Sequence, residues 1–161
     1  MRPSIQEVKE GLSSSDYHVR LQWAERMDFT PTPEQVEKGL TDDEFMVRVA
    51  WTQRTDWTPT LEQVDRGVRD TDWNVRRTWA KRMDFTPTPE QVERGMQDLF
   101  IEVRMAWILR KDVCPTPQDI RDGLSSPSMI MRETWKRKVQ QMIDNCIDYV
   151  VDNISYDEMT L

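Results

Sequence analysis

The sequence predicts an all-α protein: an α-solenoid of five 28-residue helix-turn-helix units followed by a long C-terminal amphipathic helix. Three observations predict it. The five glycines of the 161-residue chain, Gly11, Gly39, Gly67, Gly95 and Gly123, stand 28 residues apart. Five of the seven tryptophans, Trp23, Trp51, Trp79, Trp107 and Trp135, keep the same spacing. So do two basic columns, Arg20, Arg48, Arg76, Arg104, Arg132 and Arg26, Arg54, Arg82, Arg110, Lys138; the second is followed at two residues by Asp28, Asp56, Asp84, Asp112 and finally Gln140. A fixed period of this length marks stacked units, none of which can bury its apolar face alone.

Within a unit, the first helix, A, follows a proline and a hydroxyl residue: Ser4, Thr32, Thr60, Thr88 or Thr116. That hydroxyl can accept a hydrogen bond from a backbone N–H of the first turn. Pro33, Pro89 and Pro117 follow it directly, where a missing N–H costs nothing. Three residues past the cap stand Glu7, Gln35, Gln63, Gln91 and Asp119, of which the Glu and Gln members are expected to complete capping boxes. Helix A is expected to stop at the glycine. Gly39, Gly67 and Gly95 are therefore expected to take positive φ as left-handed C-terminal caps. Leu12, Leu40, Val68, Met96 and Leu124 come next and are expected to point inward.

The second helix, B, is expected to start at Asp42, Asp70 and Asp98 in the middle units. Its apolar residues, such as Val47, Ala50 and Trp51, fall at i, i+3 and i+4 on one stripe. It ends before Phe29, Trp57, Phe85 and Val113. The units so drawn are 3–29, 30–57, 58–85, 86–113 and 114–141. Residues 142–161 form the helical extension and acidic tail, with Asp144, Asp148, Asp152, Asp157 and Glu158 and no base.

Composition narrows the function. Net charge is −7, which argues against binding a nucleic-acid backbone, since that requires clustered Lys and Arg. No apolar run is long enough to span a bilayer, the opening Met1-Arg2-Pro3-Ser4 is not a signal peptide, and Cys114 and Cys146 form no metal or redox spacing. A reducing cytoplasm is the expected compartment. His18, the one histidine, falls in a column with Met46, Asn74, Glu102 and Ile130 and has no second histidine or thiol near it in sequence for catalysis or metal binding. Glycines 28 residues apart exclude a phosphate-cradling loop. The expectation is a non-enzyme with no cofactor, no metal and a protein partner.

Trp51, Trp79 and Trp107 share a stripe with Val and Ala and are read as core rather than as a stacking surface. Arg48, Arg76 and Arg104 admit two readings. They form an internal ladder, substantially buried and bonded to backbone carbonyls, to the Asp after the second arginine or to other acids of the same or next unit, or they bind phosphate; the equal spacing of Arg and Asp favours the ladder. Two breaks in the pattern offer binding candidates. Unit four carries Leu99, Phe100, Ile108 and Leu109, which make its helix B apolar nearly all round, so that something covers its outer face or the face is a binding patch. The last helix B runs on through Val139, Ile143, Ile147 and Val150, with Asp144, Asp148 and Asp152 on another face. It either caps the end of the stack or pairs with its copy in a homodimer. Stacking is expected to bring the unit-four residues against this stripe.

The unit core, Asp-x4-Val-Arg-x-(small)-Trp-Ala-x-Arg, resembles short HEAT-like repeats, and the order Val-Arg…Ala-x-Arg…Thr-Pro is similar to variant leucine-rich repeats. Both resemblances cover residues 3–141 and imply a binding scaffold, without naming what is bound. Size, acidity, high Trp and Met content and the opening Met1-Arg2-Pro3-Ser4-Ile5 also resemble the inhibitors of the host ATP-dependent Lon protease made by tailed phages. That resemblance implies a protein that binds the protease in the host cytoplasm and blocks degradation without entering as a peptide substrate. The alternatives are an anti-defence or DNA-mimic phage protein, for which only Asp144, Asp148 and Asp152 approximate a row of phosphates, and an interaction scaffold with another partner.

Overall fold

A computed structural model describes the backbone of residues 2–157 and the side chains of residues 2–146. Among the described residues there are ten helices and no strands: α1 (Ile5–Gly11), α2 (Tyr17–Ala24), α3 (Pro33–Leu40), α4 (Phe45–Gln53), α5 (Leu61–Gly67), α6 (Trp73–Lys81), α7 (Pro89–Met96), α8 (Ile101–Ile108), α9 (Pro117–Leu124) and α10 (Met129–Asp157). The fold is all-α.

Local chemistry sets where the odd-numbered helices begin. Ser4, Thr32, Thr60, Thr88 and Thr116 each accept from the N–H three residues on, and the side chain at that third position accepts in return from the cap's own N–H. Asp119 does this as well as Glu or Gln does, with the Thr116 N–H 2.8 Å from its carboxylate. Such reciprocal caps satisfy two of the four N–H groups that a helix start leaves unpaired.

Helices α4, α6 and α8 begin three residues later than Asp42, Asp70 and Asp98. Their N-caps are Glu44, Asp72 and Phe100. The three aspartates stand in the turn before the helix and accept from the N–H of those caps at 3.0, 2.8 and 2.9 Å. An aspartate that bonds the backbone two residues ahead stabilises a turn rather than a helix start.

Each odd-numbered helix packs on the even-numbered helix that follows it, and the even-numbered helices pack on one another in the order α2, α4, α6, α8, α10. The core runs along that line. Trp51, Trp79 and Trp107 are fully buried, with Val47, Val75 and Val103 beside them. Val8, Leu12, Val36, Leu40, Val64 and Val68 join the same core cluster from the odd-numbered helices. The inward column weakens toward the C-terminus: Met96 is half-buried and Leu124 is exposed. A second, smaller cluster of Ile108, Met131 and Trp135 fills the junction between α8 and α10.

The glycines act differently from the sequence expectation. None of Gly39, Gly67 and Gly95, nor any other glycine, has positive φ among the described residues. Each lies in the last turn of its helix with ordinary helical geometry. What demands glycine is the neighbour: a Cβ on Gly39 would overlap the indole of Trp51, one on Gly67 that of Trp79, and one on Gly95 that of Trp107. Gly11 and Gly123 stand in the same relation to Trp23 and Trp135. The two columns with the strictest period are therefore two sides of one contact, in which the ring lies flat against bare helix backbone.

This contact makes a prediction that separates crowding from backbone strain. Gly67→Ala should destabilise the protein by about 1–3 kcal/mol, as overpacking a tight core does. Combining it with Trp79→Phe should give less than the sum of the two single costs, read as urea midpoints in a double-mutant cycle. Additive costs would show that the ring and the glycine do not meet.

Candidate functional site

Two arginine ladders bind each unit to its neighbours. The first points backward along the chain. Arg54 Nη1 donates to the carbonyls of Ala24 (2.9 Å) and Arg26, and its Nη2 to that of Phe29 (3.2 Å). Arg82 repeats the pattern on Thr52, Arg54 and Trp57, and Arg110 on Ala80, Arg82 and Phe85. The other edge of each guanidinium grips the aspartate two residues on: Arg54 on Asp56, Arg82 on Asp84, Arg110 on Asp112. The guanidinium planes also lie over the ring that ends the previous unit, at 4.7 Å for Phe29, 4.3 Å for Trp57 and 4.6 Å for Phe85. These arginines are 3%, 9% and 2% exposed. Burial at that level is tolerable because each charge is paired and its donors are used.

The last unit changes all three parts together. Lys138 replaces arginine, Val113 replaces the ring and Gln140 replaces the aspartate. Lys138 Nζ donates to the Arg110 carbonyl at 2.7 Å, and burial lowers its pKa from the ordinary lysine value.

The second ladder points forward. Arg48 uses Nη1 on the carbonyls of Asp42 and Asp43 in the turn before its own helix, and its Nε and Nη2 grip Asp70 of the next unit, both at 2.8 Å. Arg76 does the same with Asp70 and Thr71, then Asp98, and Arg20 with Ser14 and Ser15, then Asp42. Burial pushes the Asp98 and Asp42 carboxyls up, but the arginine fork and the backbone N–H that each accepts outweigh it, and both end below the ordinary aspartate value. The sequence pointed to carbonyls or acids of the same or next unit; the structure picks out Asp70 for Arg48 and Asp98 for Arg76, each 22 residues on and in register with the arginines.

That ladder stops at Arg104. Its Nη1 is held by the carbonyls of Asp98 and Leu99, as in the other units. The position 22 residues on is Ser126, and among the described residues no carboxylate meets the Nε and Nη2 edge. Ser126 still accepts from the Ser128 N–H at 3.3 Å, so the turn is kept and only the ion pair between units is missing. Arg104, Ser126 and Ser128 line an open groove of about 870 Å³ between α7 and α9. Its floor includes Met96, Val113, Met131 and Trp135, and Glu93, Asp112, Asp119 and Asp122 stand on its walls.

The remaining candidates are more scattered. Leu99 is 91% exposed. Phe100 stacks on Trp73 of the preceding unit, with ring centroids 5.4 Å apart and planes 11° from parallel. Ile108 is buried against Met131 and Trp135, early in α10, and Leu109 is half-buried. Val139 is half-buried, Ile143 is 47% exposed, and Asp144 accepts from Gln140 at 2.7 Å. Ile147, Asp148, Val150 and Asp152 lie outside the described side chains. Among the described residues no three His, Cys, Asp or Glu side chains converge to hold a metal ion, and no helix is long and apolar enough to cross a membrane.

The first ladder predicts unequal costs along one column. Arg82→Ala strands three carbonyls and Asp84, and should lower stability by about 3 kcal/mol or more. Arg26→Ala, in the unit with no predecessor among the five, removes a side chain that is 40% exposed, pairs with Asp28 and lies over the Trp23 ring, and should cost far less than Arg82→Ala. Urea denaturation of both variants checks this, and equal costs would refute it. Comparison of the chain with known protein families, with curated proteins and with solved structures found no match, so the reading of the site rests on its geometry.

Proposed function

We propose that the chain is an α-solenoid of five HEAT-like 28-residue units closed by a long C-terminal amphipathic helix, and that it works as a non-enzymatic, protein-binding inhibitor. The partner proposed is the ATP-dependent Lon protease of a bacterial host, with the protein acting in the host cytoplasm. The observation that carries the binding reading is the groove between α7 and α9. It is the one place where the forward arginine ladder loses its acid between two adjacent units, and apolar surface is open beside a charged donor there. Leu99, on the neighbouring turn, adds a fully presented apolar side chain. Exposed apolar residues beside a polar rim suit a protein surface better than a small substrate.

Mixed charge along the units supports a protein partner over a nucleic-acid groove. Several acids on the odd-numbered helices have a base or amide beside them, as in Glu37 with Arg66 and Gln63, or Asp65 with Arg69. Such a surface does not imitate a row of phosphates. The choice of Lon rests on the resemblance in size, acidity and opening residues.

The test is proteolysis by purified Lon with ATP and casein. Near-stoichiometric amounts of this protein should slow casein degradation, and the ATP-independent cleavage of short peptides should be less affected. Full casein degradation at a large excess would remove Lon as the partner. A homodimer through α10 belongs to the same proposal, because the apolar line of Val139 and Ile143 continues past the end of the stacked helices. Light scattering should give twice the chain mass for the intact protein and a monomer after truncation following Gln141. A monomeric intact protein at tens of micromolar would leave that helix as a cap.

A further inference from the structure

We propose that Arg104 is a carboxylate receptor: the groove between α7 and α9 takes an acidic side chain of the protein partner, seated where the missing aspartate of the fifth unit would stand. This deepens the protein-binding reading and rests on it for the identity of the occupant.

The chain supplies its own controls. Arg20, Arg48 and Arg76 show what this column does when complete: Nη1 is locked on two carbonyls of the preceding turn, and Nε with Nη2 forms a two-point grip on a carboxylate at 2.7–2.9 Å. Arg104 has the lock and lacks the carboxylate. Its guanidinium is therefore already oriented, with the fork turned toward the groove that Ser126 also lines. Preorganised forks bind carboxylates well because little side-chain freedom remains to be lost. The change at position 126 is selective. Serine keeps the bond to the backbone N–H two residues on, the other task of Asp42, Asp70 and Asp98, and gives up only the reach to the arginine.

Charge on the groove walls selects among anions. Asp112 is held by Arg110 and Asp119 by the helix cap it completes. Among the described residues Glu93 and Asp122 bond amides, Gln97 and Gln118, and no cation. A singly charged carboxylate on an otherwise neutral or basic segment fits this site, whereas a phosphate dianion meets more repulsion. Met96, Met131 and Trp135 give the same segment apolar surface to rest on.

The experiment uses the full chain labelled with 15N and follows the arginine Nε–H signals. Sodium acetate is the probe, with sodium phosphate at matched ionic strength as the second arm. Acetate should shift the Arg104 signal saturably, phosphate should shift it less, and Arg104→Gln should identify the signal by its loss. Ser126→Asp should move the Arg104 signal without any acetate, raise Tm by a few degrees and weaken inhibition of casein degradation by about tenfold or more, the effect of losing one buried charge-assisted contact. An Arg104 signal that ignores acetate, a stronger response to phosphate, or a Ser126→Asp variant in which the signal stays in place each overturns the receptor. If acetate binds but the unaltered protein does not inhibit Lon, the receptor stands and the Lon assignment falls. If Ser126→Asp inhibits as well as the unaltered protein, Lon stands as the partner and the groove is not its docking point.

Discussion

A buried guanidinium that belongs to one unit and is solvated by another is the interaction on which the stack depends. Arg54, Arg82 and Arg110 leave their own helices and complete the hydrogen bonding of the turn that ends the previous unit. That turn would otherwise be a weak point. The last carbonyls of a helix have no partner within it and carry the negative end of its dipole. A cation placed there answers both deficits, and the ring of Phe29, Trp57 or Phe85 beneath it excludes water from the contact. Neither unit is then complete alone: one has carbonyls without donors, the other a charge without a cage. Apolar burial along α2, α4, α6, α8 and α10 supplies most of the attraction, but it is tolerant of sliding. The arginines fix the register between units, since a displacement of one helical turn would strand several polar groups at once.

Legibility in the sequence followed the range of the interaction. Capping boxes are local, three residues long and almost independent of surroundings, so Thr-Pro-x-Gln could be read directly. The stripe of Val, Ala and Trp follows helical period, and the buried positions Val47, Ala50 and Trp51 could be read from it. The glycines were read as local too, and there the reading failed. A glycine just before a turn is usually explained by its own φ, whereas Gly39 is explained by a ring twelve residues away. The signal was present in the shared period of glycine and tryptophan, but period alone does not say whether two columns are correlated through backbone geometry or through contact. For Arg48 the repeat pointed to an acid of the same or next unit without singling one out; the choice of Asp70, 22 residues on, follows only once helix α4 is set beside the turn that precedes α6. Phe100 makes another contact of that range: its ring turns back to Trp73, where the Arg76 guanidinium also approaches at 5.7 Å.

The ends of the stack show what a repeated interaction leaves over. In a closed fold each polar group finds its partner somewhere; in a linear stack every donor that points forward needs a following unit. Arg132 holds the carbonyls of Ser126 and Pro127 and is the last of its column among the five units, so no following unit offers it an aspartate. Arg104 is different. A fifth unit follows it, with Trp135 against Gly123 and Lys138 on the Arg110 carbonyl, and the acid alone is absent. The junction is also where the core divides, with Ile108, Met131 and Trp135 forming a cluster apart from the main one, and where Leu124 loses the burial that Leu12, Leu40 and Val68 enjoy. Removing one ion pair and loosening one apolar contact opens a groove while the backward ladder keeps the last unit attached. The stacking interactions and the groove thus use separate residues. Asp98 and Arg76 can hold units three and four rigidly while the next position is left free to accept a group from outside, and the same helix start, turn and anchored guanidinium serve in both places. On the proposed reading the recognition site arises by omission: the scaffold that orients the arginine is already built, and leaving out its internal carboxylate would make it available to an external one.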